Sequence, residues 1–160
     1  MISLIVSFEF DIYTIITKRE IGMISAFEMQ GLTWKARSKY QQDAILIGNK
    51  VIQHDGVISK RYCHSEQEKW CVAVADGISN SPTADKAAYT VLNALTQNRE
   101  AGQYQALAIQ QYLVDQLANQ KISFGASSTL ALIYNDARQG FVTIQHIGDS
   151  RVYLFSQHDQ

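Results

Sequence analysis

The sequence predicts an α+β domain, and three observations carry that reading. Short apolar runs bounded by turn residues recur between residues 44 and 155, which is strand patterning. Two central stretches, after Ser81 and after Gly102, instead space their apolar residues by three and four, which is helical. No low-complexity linker or internal repeat divides the 160 residues, and 46% hydrophobic against 18% charged content suffices for one core.

The N-terminal stretch MISLIVSFEFDIYTII reads as strand. Ile2, Leu4, Val6, Phe8, Phe10 and Ile12 alternate with a more polar set, which puts one hydrophobic row on one face of an extended segment. Glu9 and Asp11 interrupt the run, no basic region precedes it and no small-residue cleavage site follows. Neither a signal peptide nor a spanning helix is expected. Met23-Ile24-Ser25 repeats Met1-Ile2-Ser3, so Met23 is an alternative start. The expected organisation is an N-terminal extension of uncertain role over 1–22, then one domain over 23–160.

Ala44 to Ile47 reads as strand, and Val51-Ile52 and Val57-Ile58 flank His54-Asp55-Gly56, where Asp-Gly signals a hairpin. Lys60 to Lys69 is polar connection. Trp70 to Ala75 is an unbroken apolar run, the pattern of a strand covered on both faces, and it stops at Asp76-Gly77. Ser81 is placed to cap a helix whose first position is Pro82. In that helix Ala84, Ala87, Ala88, Val91, Leu92 and Leu95 form one stripe. A second helix carries Ala106, Ile109, Leu113 and Leu117 on a shared face. Strands then return at Ser128 to Tyr134, at Phe141 to Ile147, and at Val152 to Phe155 after the Gly148-Asp149-Ser150 corner.

A formal net charge of −1 with scattered Lys and Arg residues leaves no electrostatic footprint for nucleic acid. Two cysteines, Cys63 and Cys71, are too few for a disulfide scaffold and fit a reducing compartment, so a cytoplasmic protein without a membrane partner is expected.

The candidate chemistry lies in three acids at strand ends: Asp43 begins one strand, Asp76 ends another, and Asp149 sits in a corner between two more. Carboxylates at strand ends can converge on one rim of a sheet, where a divalent cation offsets their repulsion. Gly77 leaves a backbone carbonyl accessible beside them. Hard oxygen donors favour magnesium or manganese over zinc or copper. Asp-Gly and Gly-Asp pairs are also ordinary turns, so spacing alone leaves both readings open. The other candidates are weaker. His54, Cys63, His64 and Cys71 lack the paired spacing of a zinc site, and neither cysteine sits in a phosphate-cradling loop followed by arginine. Ser127-Ser128-Thr129 reads as the start of a strand rather than a nucleophile elbow, and His146 as a strand residue.

Four segments in order, QQDAILIG, VAVADGI, GASSTLALIY and IQHIGDSRVYLF, resemble motifs of the metal-dependent protein serine/threonine phosphatases, the type 2C or PPM family, from about Gly31 to Phe155. The resemblance implies a β-sandwich flanked by helices with a binuclear manganese or magnesium centre in a cleft at one end. Asp76 would bridge the metals with the Gly77 carbonyl as a further ligand, Asp43 would hold metal-bound water, and Asp149 would serve an additional metal site. The implied activity is hydrolysis of phosphoserine or phosphothreonine esters in protein substrates, without a phosphoenzyme.

Departures are equally specific. Ile78 to Pro82 replaces a glycine-bearing loop, and Gln42 stands where many members have Glu. Arg37, the candidate for the substrate phosphate, lies six residues before Asp43 rather than the family's five. The family's downstream SDG-like and DN-like motifs do not occur before Gln160. The expectation is therefore a domain incomplete at its C-terminus and weak or inactive alone, completed by a C-terminal segment or by self-association. The alternative is a catalytically inactive remnant or regulatory binding module.

Overall fold

The computed structural model describes residues 2–7, 13–21, 24–34, 40–63, 69–97, 104–117, 124–136 and 141–156. The chain is α+β. In order, its strands begin with β1 (Ile2–Ser7), β2 (Tyr13–Ile21) and β3 (Ile24–Thr33). Next come β4 (Asp43–Ile47), β5 (Lys50–Ile52), β6 (Gly56–Cys63) and β7 (Cys71–Asp76). Helices α1 (Ala84–Gln97) and α2 (Ala106–Leu117) follow, then β8 (Leu130–Asp136), β9 (Phe141–Ile147) and β10 (Arg151–Ser156). The strands form two five-stranded sheets, in the orders β10-β1-β2-β3-β6 and β5-β4-β7-β8-β9. Every pairing within them is antiparallel.

The apolar runs of β4 and β7 are unbroken because both of their faces are covered. Ile45, Ile47, Val72 and Val74 pack with Met29, Ile58 and Tyr62 of the first sheet, which makes the core between the sheets. Successive side chains alternate faces, so Ala44, Leu46, Ala73 and Ala75 point the other way and pack with Ala88, Val91, Leu92 and Leu95 of α1. Alanine at three of those four strand positions lets the helix lie close. Tyr104, leading into α2, joins the same layer by packing edge-on against Tyr134, with ring centroids 4.8 Å apart. No helix among the described residues is long and apolar enough to cross a membrane.

Three expectations need correction. Lys60 to Cys63 is strand rather than connection: β6 pairs with β3 as far as Ala26↔Cys63. Tyr62 points into the core, while the exposed Arg61 lies on the outer face opposite Glu28. Strand β3, whose polar Glu28 and Gln30 alternate with buried Met29 and Gly31, is not among the strands expected from the sequence. Helix α1 starts at Ala84 and not at Pro82. Thr83, at φ 50°, begins it, its carbonyl accepting from the Ala87 amide at 3.0 Å. Ser81 is engaged elsewhere: its hydroxyl accepts from the Ser127 amide at 3.2 Å.

The apolar row expected over Ile2 to Ile12 is β1 up to Ser7, and Phe8, Phe10 and Ile12 lie outside the described residues. Strands β1 and β2 are interior members of the first sheet, between β10 and β3.

A candidate carboxylate rim

Asp43 is the first residue of β4 and Asp76 the last of β7, and the two are register partners across the ladder. Residues directly opposite in an antiparallel pair project to the same face. Asp43 precedes Ile45 by two and Asp76 follows Val74 by two, so both acids share the face that carries the inter-sheet core, at its end. Both are half-buried. Antiparallel pairing also brings the start of β8 and the end of β9 to this rim.

The backbone around Asp76 is held tightly. Its amide donates to Thr129 Oγ1 at 3.2 Å, and its carbonyl accepts from the Thr129 amide at 2.8 Å and from Ser128 Oγ at 3.0 Å. The next amide, of Gly77, donates to the Gln42 carbonyl at 3.2 Å, and the Ile78 amide to the Ser127 carbonyl at 3.0 Å. The Ser79 hydroxyl reaches Gln42 Oε1 at 3.0 Å. The segment after β7 is thus tied to the start of β4 on one side and the start of β8 on the other. Gly77 is buried, and a Cβ there would sit 2.1 Å from the carbonyl oxygen of Ala84, so only glycine lets the first residue of α1 approach.

Asp149 is exposed, between Gly148 and the buried Ser150. Gly148 has φ 97°, and a Cβ on it would lie 2.7 Å from Thr129 Cγ2. Thr129 Oγ1 and Ser150 Oγ are 2.7 Å apart in a buried hydroxyl pair. Thr129 therefore links the backbone of Asp76 to the corner that carries Asp149. Sequence reasoning passed over this threonine as the start of a strand. Thr129 precedes the inward-facing Ala131 by two, which assigns it to the face of Asp76 once β8 is paired with β7.

Asp43, Asp76, Gly77 and Asp149 thus share one rim, and Arg37 lies outside the described residues. Among the described residues no group of three or more His, Cys, Asp or Glu side chains is gathered closely enough to hold a metal ion. An opposed pair of carboxylates has the chemistry for one hard divalent cation, and it falls short of the donor set a binuclear centre needs. Of the zinc-capable residues, His54 is exposed and His64 lies outside the described residues. Cys71 is a buried thiol that donates from Sγ to the Gly48 carbonyl at 3.4 Å. His146 is exposed on β9.

The fold and the rim define an α+β protein with two antiparallel sheets and a cross-strand acid pair. No protein-family model, curated protein or solved structure matches the chain.

Proposed function

We propose that this chain belongs with the metal-dependent protein serine/threonine phosphatases of the PPM type, and that its rim binds manganese or magnesium through Asp43 and Asp76. The observation that carries the reading is the register Asp43↔Asp76, which sets two acids from segments more than thirty residues apart directly opposite each other. Two facing sheets with helices on one outer side support it further, as does the placement of Asp149 at the same rim.

A cation bound there would lower the pKa of its water and neutralise charge on a phosphoryl group. The chain's own part is positional. Strands β4 and β7 fix the spacing of the two carboxylates, and Thr129 and Ser128 hold the Asp76 backbone through its amide and its carbonyl. Asp149, one residue from the Thr129–Ser150 pair, stands ready as a ligand for a further cation. Because the opposed pair suits one cation while the chemistry of this family uses two, these 160 residues alone are expected to hydrolyse p-nitrophenyl phosphate with manganese very slowly. Isothermal titration with manganese chloride tests the binding step. Saturable binding that Asp76→Asn abolishes is the expected result, and a wild-type chain that takes up neither manganese nor magnesium at millimolar concentration would refute the proposal.

A further inference from the structure

Four strands form the edges of the two sheets: β10 and β6 in one, β5 and β9 in the other. Exposed edges offer unpaired amides and carbonyls to any passing strand, and proteins commonly blunt them with charge or shortness. Three of these edges are blunted. Strand β5 has three residues and begins at Lys50, β6 carries Lys60 and Arg61, and β10 opens on Arg151. Strand β9 differs in each respect. Its seven residues, FVTIQHI, contain no Lys, Arg, Asp, Glu, Pro or Gly. Among the described residues only β8 pairs with it. Ile144 and Ile147, which lie on opposite faces of the strand, are 48% and 50% exposed.

We infer that β9 is a self-association edge, and that two copies of this chain join through antiparallel β9–β9 pairing about a two-fold axis at Ile144, making one continuous ten-stranded sheet. A second copy is the occupant because the strand complements itself. Centred on Ile144, the register overlaps all seven residues, setting Phe141 opposite Ile147 and Thr143 opposite Gln145, with Ile144 meeting its own copy. No charged residue meets a like charge, and His146 lies opposite Val142 rather than another His146. The opposed pair at the axis is the most sensitive position, since like charges directly across a ladder are unfavourable and opposite charges favourable. Seven residues of strand make a small interface, so the dimer belongs to the weak, concentration-dependent class.

The test is sedimentation velocity on the full chain over a concentration series, for wild type, Ile144→Lys, Ile144→Glu, and an equimolar mixture of the two variants. Wild type is expected to dimerise reversibly. Each variant alone should raise the dissociation constant by about tenfold or more, and the mixture should restore the dimer through Lys–Glu pairing at the axis. Hydrogen exchange on wild type reads the same interface without a substitution: β9 amides should slow as concentration rises, while β6 amides do not. A wild-type chain that stays monomeric to about 1 mM, a dimer untouched by Ile144→Lys, a mixture that fails to associate, or β9 exchange independent of concentration would each overturn the inference. None of these readouts depends on metal binding or phosphatase activity.

Discussion

Gly77→Ala is the most direct probe of how the rim is built. The added methyl would lie 2.1 Å from the Ala84 carbonyl oxygen, 2.4 Å from the Ala84 carbonyl carbon and 2.9 Å from its Cβ. Two of those atoms are backbone at the start of α1, so no rotamer change relieves the clash. The helix start or the end of β7 has to move. Overpacking of a tight site costs about 1–3 kcal/mol, and backbone neighbours put this site near 3 kcal/mol. For a chain of this size each kcal/mol lowers the melting temperature by about 2–4 °C, which gives a drop of about 6–12 °C. Gly56→Ala is the matched control, because its Cβ would meet nothing nearer than 3.9 Å. Thermal melts followed by far-ultraviolet circular dichroism compare the two. If Gly77→Ala melts with Gly56→Ala, the close approach of α1 to the end of β7 is not what requires glycine.

Further expectations concern the acids and the hydroxyl pair. Asp76→Asn removes one of two directly opposed carboxylates, so in metal-free buffer it should stabilise the fold by about 0.5 kcal/mol, seen as a small rise in melting temperature in the presence of EDTA. A fall would count against the cross-strand opposition of Asp43 and Asp76. Thr129→Val deletes the acceptor for the Asp76 amide and the partner of the buried Ser150 hydroxyl, and stranding such groups costs about 2 kcal/mol in urea unfolding. Thr129→Ser keeps the hydroxyl and should recover most of that loss.

The second sheet and α1 were largely legible in the sequence, for a physical reason. Strands β4 and β7 are covered on both faces, so their apolar runs are continuous, and α1 rests on them with one stripe of small and branched residues. Strand β3 and the latter half of β6 were hidden because one face of each is polar: Glu28 and Gln30, Ser59 and Arg61 break the hydrophobic signal that Met29, Ile58 and Tyr62 supply. The start of α1 was misplaced because Ser81 satisfies Ser127, a partner forty-six residues away that local pattern does not reveal. At the rim, the sequence marked the acids as residues at strand ends. That Asp43 lies opposite Asp76 is a matter of register, fixed by the pairing of β4 with β7 over five positions from Asp43↔Asp76 to Ile47↔Val72. The role of Thr129 follows only once β8 is seated beside β7.

The first sheet has a particular consequence for synthesis. Strand β1 lies between β2 and β10, with Ile2 opposite Ser156. On a ribosome, β2 emerges soon after β1, but the other flank of β1 stays open until β10 has been made. Such a long-range closure is slow and leaves sticky nascent chains. Among the described strands β1 waits longest for its second neighbour, so chaperone demand should be set by translation speed through the codons from β2 to β10.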